Sequence, residues 1–314
     1  MKLACALLLA ATLAPAADIR LGIIGTDTSH VPAFTQLLNS PADAKDHISG
    51  ARVVAAYKGG SKDIESSISR VDQYADEVRT KWGVEIVPDI ATLLSKVDAV
   101  LLTSVDGRPH LEQARLVIAA RKPLFVDKPL ASTLADAREI ARLAKAANVP
   151  WFSSSSLRFS EMGTTMKFAD ATGALTWGPG PFEPHHALDL TWYGIHPVEL
   201  LYTLLGPGCE SVTRVATDNA DVIVGRWKDG RLGTVRVLRP YGEYGAVVFR
   251  PKEIVEAKPQ TAGSYRPLVE QIVKFFQTGQ PPVPNDETLE IFAFMDAAQR
   301  SKEQGGKPVP LPAR

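Results

Sequence analysis

Gly22-Ile23-Ile24-Gly25-Thr26-Asp27-Thr28-Ser29-His30 is the stretch of sequence that decides the fold of the N-terminal half. The apolar residues from Ile19 onward predict a buried strand, which ends at Gly25 in a run of polar residues. Helical spacing of apolar residues follows, through Phe34 and Leu38. A strand that turns at a glycine directly into a helix places the N-terminus of that helix where it can bind an anion.

Strand and helix patterns alternate along the chain from this point to about residue 149. Short apolar runs typical of buried strands lie at 52–57, 84–87, 97–103, 123–126 and 149–152. Helical patterns lie between them, one of them at 64–81. Because short connections between such elements require right-handed crossovers, the pattern predicts an α/β fold with a doubly wound, Rossmann-like parallel sheet. The loops that follow the strands, at 26–30, 58–61, 103–110 and 127–129, are expected to surround one crevice.

The chain after residue 150 has a different pattern. A stretch rich in glycine and proline at 173–184 precedes helical spacing at 192–205. Alternating runs at 221–227 and 232–238 flank the turn residues 228–230, which indicates antiparallel strands, and helical patterns return towards the C-terminus. We therefore expect a Rossmann-like dinucleotide-binding domain over 17–149. A C-terminal α+β domain with a mainly antiparallel sheet is expected over 150–314.

The first sixteen residues predict a signal peptide. Lys2 precedes an apolar run that is too short to span a bilayer, and small residues lead to Ala16, after which cleavage is expected. The mature protein is accordingly expected in the periplasm or outside the cell, without membrane attachment. Cys5 leaves with the signal peptide, and the remaining Cys209 is interpreted as a packing residue.

The composition is that of an ordinary globular protein without a nucleic-acid partner. Of the 314 residues, 35 are Lys or Arg and 35 are Asp or Glu, so the chain has no surplus of basic charge. Hydrophobic residues make up 45% of the chain and charged residues 22%. The expected partner is a small molecule bound in the crevice.

The turn after the first strand departs from a dinucleotide fingerprint. A G-x-G-x-x-G pattern would start at Gly25, but Asp27 and His30 stand at its second and third glycines. The carboxylate of Asp27 disfavours a phosphate, whereas the helix N-terminus and the hydroxyl groups of the turn favour one. Lys58 stands where an acidic residue would hold the adenosine ribose. The expected cofactor is NAD or NADP, with contacts from the following residues: Gly22, Gly25, Thr26, Thr28, Ser29, Lys58, Thr103 and Asp127.

Three further segments resemble the Gfo/Idh/MocA family of oxidoreductases, and the resemblance spans nearly the whole mature chain. Asp127-Lys128-Pro129, after an apolar strand, is similar to the family's Glu-Lys-Pro signature. Gly194-Ile195-His196, followed by Glu199-Leu200-Leu201, resembles its second signature, and residues 265–301 resemble its C-terminal end. The family usually has an aspartate four residues before this histidine, where the present chain has Trp192.

The resemblance implies roles for two side chains, and the predicted fold and the chemistry of neighbouring residues add three candidates. Lys128 is expected to orient the substrate and the nicotinamide and to assist proton transfer, and His196 to act as an acid or base beside the substrate. His110 is expected at the crevice, and Trp192 offers a flat apolar face for a sugar ring. Glu199 is a candidate to replace the missing carboxylate and contact the substrate.

Three functions agree with these residues. The first is a nicotinamide-dependent oxidoreductase that acts on a sugar, a cyclitol or a related hydroxyl compound. The alternatives are a redox-neutral glycoside hydrolase or lyase that works through a keto-sugar, and a carbohydrate-binding protein that has lost catalysis. No metal site is predicted, because the histidines and their neighbouring carboxylates lack compact ligand spacing. The open sheet of the family's C-terminal domain often forms subunit contacts, which implies a homo-oligomer.

Overall fold

Two β-sheets, one parallel and one mixed, organise the chain in the computed structural model, which describes residues 17–240, 242–257 and 263–312. The signal peptide predicted at 1–16 lies outside these residues. Within the described ranges, no helix combines the length and the apolar character needed to cross a bilayer.

The N-terminal sheet is parallel throughout, with the order β3-β2-β1-β4-β5-β6. Its strands are β1 (Ile19–Ile24), β2 (Ala51–Tyr57), β3 (Glu85–Val87), β4 (Ala99–Leu102), β5 (Leu124–Asp127) and β6 (Trp151–Ser154). Its helices are α1 (His30–Asn39), α2 (Glu65–Ile68), α3 (Val71–Trp82), α4 (Ile90–Lys96), α5 (His110–Ala119) and α6 (Leu134–Ala147). The strand order reverses between β1 and β4, which is where doubly wound sheets bind their ligands. The predicted Rossmann-like fold is confirmed.

Local sequence signals set the ends of these helices. The carboxylate of Asp89 accepts a hydrogen bond from the amide of Thr92 at 2.7 Å and caps α4. The hydroxyl of Thr133 caps α6 in the same way. Gly83 ends α3 with a φ of 67°, in the left-handed region that glycine adopts without strain. The helical pattern over 64–81 is interrupted, because residues 69 and 70 separate α2 from α3.

Two glycines of the first strand and turn allow close packing. A Cβ at Gly22 would lie 2.6 Å from Cδ2 of Leu93, so this residue lets α4 approach β1. Gly22 was predicted to contact a cofactor, and its position in the sheet assigns it to helix packing instead. Gly25 has a φ of 90°, and a Cβ there would lie 2.4 Å from the backbone of Ser104. The turn at Gly25 therefore accepts no other residue without distortion.

The C-terminal sheet has seven strands in the order β12-β11-β7-β10-β9-β8-β13. The strands are β7 (Gly173–Pro179), β8 (Cys209–Ala216), β9 (Ala220–Trp227), β10 (Leu232–Leu238), β11 (Gly245–Arg250), β12 (Glu253–Glu256) and β13 (Val309–Pro310). All of its pairs are antiparallel except β7 with β10, so the mainly antiparallel sheet is confirmed. The remaining helices are α7 (Glu161–Thr165), α8 (Ile195–Leu205), α9 (Arg266–Thr278) and α10 (Asn285–Glu303). Every residue of α8 is buried, which places this helix between the sheet and the rest of the molecule.

The two sheets do not divide the chain at residue 149. Strand β6 pairs with β5 and extends the parallel sheet to Ser154. Helix α9, although predicted in the C-terminal domain, returns to the N-terminal one. Its residues Leu268, Ile272 and Phe275 share one apolar cluster with Phe34 of α1. The reason is the hydrophobic stripe of α9, which covers a face of the parallel sheet that sequence order alone does not connect to it.

Replacing Phe275 with alanine should therefore destabilise the parallel domain. Phe275 is fully buried and packs edge-on against Phe152 of β6 at a ring distance of 5.0 Å. We expect a loss of about 3–5 kcal/mol in the free energy of unfolding, measured by urea denaturation. Phe276→Ala is the matched control, because the neighbouring ring is only partly buried and should cost less than half as much. Equal losses in the two variants would contradict the docking of α9 through Phe275.

Candidate active site

One cavity of about 290 Å³ lies beyond the carboxyl ends of β1 and β5, between the two sheets. The N-terminal domain contributes Thr28, Ser29 and His30 from the start of α1 and Lys128 from the end of β5. The C-terminal domain contributes Trp192, Tyr193 and His196 from the start of α8, together with Tyr244 and Tyr265. The shared pocket expected from the sequence is thus present, and it contains both predicted catalytic side chains. Their catalytic roles remain predictions.

Lys128 lies in this cavity without an ion pair among the described residues. Its ammonium group donates a long hydrogen bond of 3.5 Å to the carbonyl oxygen of Trp192 and lies 5.2 Å from the ring centre of Tyr193. Burial lowers the pKa of Lys128 from its ordinary value, and the charge of Asp127 opposes this shift only in part. A buried amine with a lowered pKa is suited to accept and return a proton.

His196 is held in place from the side opposite the cavity. Its Nδ1 lies 2.7 Å from the hydroxyl oxygen of Ser155, which also accepts a hydrogen bond from the amide of Leu157. The only acceptor near the Ser155 hydroxyl hydrogen, among the described residues, is Nδ1 of His196. The proton of the neutral ring therefore sits on Nε2. Burial, with the charges of Lys128 and His30, holds the pKa of His196 well below its usual value, which keeps the imidazole neutral.

Glu199 does not reach the cavity. Its carboxylate accepts hydrogen bonds from the Ser154 hydroxyl and the Ser155 amide, both at 2.7 Å, and from Arg158 at 2.8 Å. The predicted substrate contact of Glu199 does not agree with this position, because all of its oxygens face buried donors of the protein. Glu199 instead fixes the backbone of Ser155, and through it the ring of His196.

Asp127 joins the first helix to the end of the fifth strand. One of its carboxylate oxygens pairs with Nδ1 of His30, and the other accepts the backbone amide of Lys128 at 2.8 Å. Burial acts to raise the pKa of Asp127, but the charges of His30 and Lys128 and the hydrogen bond from His30 hold it below its ordinary value. Asp127 was predicted to contact the cofactor, and the structure makes it the support of Lys128 and His30 instead.

Asp27 turns away from the cavity, although it stands at a fingerprint glycine. Its carboxylate accepts hydrogen bonds from the hydroxyl of Ser67 in α2 at 2.6 Å and from the amide of Val105 at 3.0 Å. Burial raises its pKa. Because these donors engage the carboxylate, the negative charge of Asp27 does not face the N-terminus of α1.

The other predicted cofactor contacts lie in the framework of the turn. The hydroxyl of Thr26 donates to the carbonyl of Val71, and that of Thr103 donates to the carbonyl of Gly25, both at 2.7 Å. The ammonium of Lys58 pairs with Asp72 at the surface at 2.8 Å. Of the eight residues predicted, Thr28 and Ser29 are the two that line the cavity. The rest have other partners or packing roles in the fold, and those of Thr26 and Lys58 come from the start of α3.

His110 also lies outside the cavity. It is fully buried, with Nε2 at 2.9 Å from the carbonyl oxygen of Ser104 and Nδ1 at 3.3 Å from that of Leu130. Burial lowers its pKa. Its ring nitrogens face two loop carbonyls, so the structure does not bring His110 to the cavity where the substrate contact was predicted. Trp192, by contrast, lies on the wall of the cavity as expected.

The cavity has residues that the sequence did not single out. Ser66 of α2 and Arg70, which precedes α3, line it from the segment after β2. Three tyrosines (193, 244 and 265) line it from the C-terminal domain. The sequence predicts one continuous helix at 64–81 and therefore does not single out Arg70. In the structure the helix is broken between α2 and α3, next to the contact of Ser67 with Asp27, and Arg70 lies at this break. No group of three or more His, Cys, Asp or Glu side chains suited to a metal ion occurs among the described residues.

Comparisons with known proteins agree with this architecture. Residues 19–154 match the Gfo/Idh/MocA family model, described as an oxidoreductase family with an NAD-binding Rossmann fold. GenD2 from gentamicin A biosynthesis, solved with NAD, is 16% identical with a TM-score of 0.76, over 98% of this chain and 100% of that one. A probable dehydrogenase from Thermotoga maritima is 21% identical with a TM-score of 0.72, over 93% and 99%. No curated protein matches the sequence significantly.

A third solved structure is the myo-inositol dehydrogenase of Lactobacillus casei in complex with NAD(H) and myo-inositol. It is 18% identical with a TM-score of 0.73, over 95% of this chain and 98% of that one. At these sequence identities, the similarity shows a common fold of both domains and no more.

A nicotinamide dinucleotide fits one end of the crevice better than the other. Thr28 and Ser29 at the N-terminus of α1 face the cavity and suit a diphosphate, since Asp27 is turned away. At the other end, Lys58 is paired with Asp72 and offers no carboxylate for a ribose. At that end the hydroxyl of Ser61 donates a hydrogen bond of 2.5 Å to Asp106, which connects the loop after β2 to the loop after β4. The residues therefore fit the diphosphate, and the adenosine end depends on other contacts.

Removing the carboxylate of Asp127 should destabilise the protein in a pH-dependent way. Asp127→Asn loses a charged hydrogen bond to His30, which contributes about 1.5–3 kcal/mol. The pKa of Asp127 is lowered by folding, so this contribution is complete above the unfolded pKa of about 3.9 and is lost as the pH falls through the folded value. Urea unfolding of both proteins should show the full difference at about pH 7 and a smaller one at about pH 3.

Glu139→Gln is the control for this experiment. Its partly exposed carboxylate pairs with Arg142 on α6, and its loss should change the free energy of unfolding much less than Asp127→Asn does. A difference between Asp127→Asn and the unmodified protein that is the same at both pH values would argue against a buried carboxylate pair.

Proposed function

Residues 19–154 belong to the Gfo/Idh/MocA family of NAD-binding oxidoreductases, and from this premise we propose that the chain oxidises a hydroxyl group of a sugar or cyclitol. The observation that carries the proposal is the single cavity in which Lys128 and His196 lie together with the N-terminus of α1. A volume of about 290 Å³ is at the lower end for small-molecule sites and suits a ligand of monosaccharide size. One dehydrogenase with this fold, that of Lactobacillus casei, was solved with myo-inositol, a cyclitol of that size.

Lys128 is assigned the role of general base. A nicotinamide held at the crevice would supply the hydride acceptor, and oxidation of a hydroxyl group also requires a base that removes its proton. The ammonium of Lys128 has only a long contact to the Trp192 carbonyl, and its lowered pKa provides a neutral amine in a larger fraction of the molecules. The backbone amide of Lys128 donates a hydrogen bond to the carboxylate of Asp127. This contact holds the backbone of Lys128 at the end of β5 while its side chain transfers a proton.

His196 is assigned the role of hydrogen-bond donor to the reacting oxygen. Ser155 places the ring proton on Nε2, which has no other partner among the described residues. A neutral imidazole N–H can hold the hydroxyl oxygen of the substrate and stabilise the carbonyl oxygen of the product. The two side chains thus have different roles, because Lys128 accepts the hydroxyl proton of the substrate and His196 orients the reacting oxygen.

The test of the function is reduction of the cofactor. Purified protein is mixed with NAD or NADP and a panel of cyclitols, neutral sugars and sugar acids, and reduced nicotinamide is followed by its near-ultraviolet absorbance. We expect reduction with at least one member of the panel. Failure of every member with both cofactors, together with no cofactor binding by calorimetry, would refute the proposal.

Lys128→Met should lower kcat/KM by about 10²- to 10⁴-fold, the usual contribution of a general base. In the unmodified enzyme, kcat/KM should rise with pH through a pKa that lies below the ordinary lysine value of about 10.4, and the variant should lack this limb. Lys145→Met, which removes an exposed lysine at the end of α6, is the control and should retain full activity. An unchanged pH profile in Lys128→Met would remove Lys128 from the role of base.

His196→Gln and His196→Ala separate donation from proton transfer. A glutamine amide can donate a hydrogen bond in place of Nε2, whereas alanine cannot, so the glutamine variant should keep at least about tenfold more activity. Ser155→Ala should lower kcat without preventing folding, because the ring then loses the partner that fixes its proton on Nε2. Equal activity of the Gln and Ala variants would indicate that His196 is not a donor.

A further inference from the structure

The cavity is lined by hydrogen-bond donors and cations, with no acidic side chain facing it. Among the described residues that line it there is no Asp, Glu, Asn or Gln, while Lys128 and Arg70 are both basic. The guanidinium of Arg70 can only donate hydrogen bonds, and the hydroxyl groups of the lining can donate as well as accept. This composition favours a ligand that brings acceptors and negative charge.

The carboxylates near the cavity are all engaged elsewhere. Asp27 accepts from Ser67 and Val105, and Asp127 is paired with His30. Asp106 is buried and accepts from Ser61, Arg108 and His186. These contacts fix the negative charges behind the wall of the cavity, where they do not pair with its two cations.

Arg70 is the cation without a defined role in the fold. No hydrogen bond or ion pair of its guanidinium occurs among the described residues, in contrast to Arg108, which pairs with both Asp63 and Asp106. Arg70 stands between α2 and α3, where the helical pattern is interrupted. An arginine at a cavity wall without a carboxylate partner has its five donors available for a ligand.

A second observation points to a ligand at the same wall. The hydroxyl oxygen of Ser66, one turn before Arg70, is buried and has no hydrogen-bond partner, although the residue lines the cavity. Buried hydroxyl groups are seldom left without a partner, and a bound group supplies one here. Ser66 and Arg70 thus bring two hydrogen-bond donors from one short segment to the lining of the cavity.

We propose that Arg70, with Ser66, binds an anionic group of the substrate, so that the substrate is a sugar or cyclitol that carries a carboxylate or a phosphate. The planar guanidinium matches either group in a bidentate arrangement. The anionic end then lies at the α2–α3 segment, and a hydroxyl group of the same molecule lies at Lys128 and His196. This inference rests on the proposed function for the reaction, but the binding of the anion can be measured without turnover.

The experiment is calorimetric titration with three ligands that differ only at carbon six: D-glucuronate, D-glucose 6-phosphate and D-glucose. The same set is repeated in the galacto series. We expect at least one anion to bind tighter than its neutral counterpart, and Arg70→Gln to weaken that binding about 10- to 100-fold, the size of one charged hydrogen bond. Arg70→Lys should recover part of the affinity, because it keeps the charge without the planar fork.

Arg79→Gln is the matched control. It removes an exposed arginine of α3 that pairs with Asp76, and ligand binding should not change. Circular dichroism of each variant checks the fold. Two results would overturn the inference: neutral sugars that bind as tightly as the anions, or no binding of any anion in either series.

Titration with NAD distinguishes the source of the negative charge. If Arg70→Gln weakens NAD binding and leaves the binding of glucuronate and glucose 6-phosphate unchanged, the guanidinium serves the cofactor diphosphate and the inference fails. If anion binding depends on Arg70 but no substrate reduces NAD or NADP, the proposed reaction fails and the anion site stands.

Discussion

The site depends on the buried contact between His30 and Asp127. These two side chains lie 97 residues apart in the sequence and join the first turn of α1 to the end of β5. The same carboxylate holds the backbone of Lys128, so one group positions the helix N-terminus and the catalytic candidate together. A buried carboxylate is stable only with such partners, and this requirement ties the two strand ends into a single unit. His30 occupies the position of the third glycine in the fingerprint, and its contact with Asp127 gives this histidine a structural role.

The departures from the dinucleotide fingerprint have a common cause. Asp27, like His30, replaces a glycine and binds a residue that lies far along the chain, here Ser67 of α2. The segment between β2 and α3 thereby packs on the turn and brings Ser66 and Arg70 to the cavity. The substitutions that weaken the motif as a phosphate loop thus build one wall of the cavity. Charge is separated in this arrangement, because the carboxylates lie behind the wall and the basic side chains face the cavity.

The second domain supplies orientation. The first turn of α8 presents His196, and the buried carboxylate of Glu199 one turn later holds Ser155 through its backbone amide. Arg158 compensates the charge of Glu199 and also pairs with Glu287 of α10. The ring of His196 is thus fixed by a chain of contacts from β6 to α10. The family resemblance suggested an aspartate in this role, and the chain reaches a similar support through a serine and a more distant carboxylate.

The sequence by itself determined the order of strands and helices along the chain and the doubly wound sheet, because hydrophobic periodicity and strand ends are local properties. The meeting of Lys128 with His196 was expected from the family resemblance. Tertiary structure alone decided which polar residues face the cavity. His110 and Glu199 were predicted to contact the substrate and are hydrogen-bonded inside the protein, whereas Arg70, which the helical pattern at 64–81 did not single out, lines the cavity. The reason is physical: a buried charge must find a partner, and that partner is chosen by contacts between residues far apart in the chain.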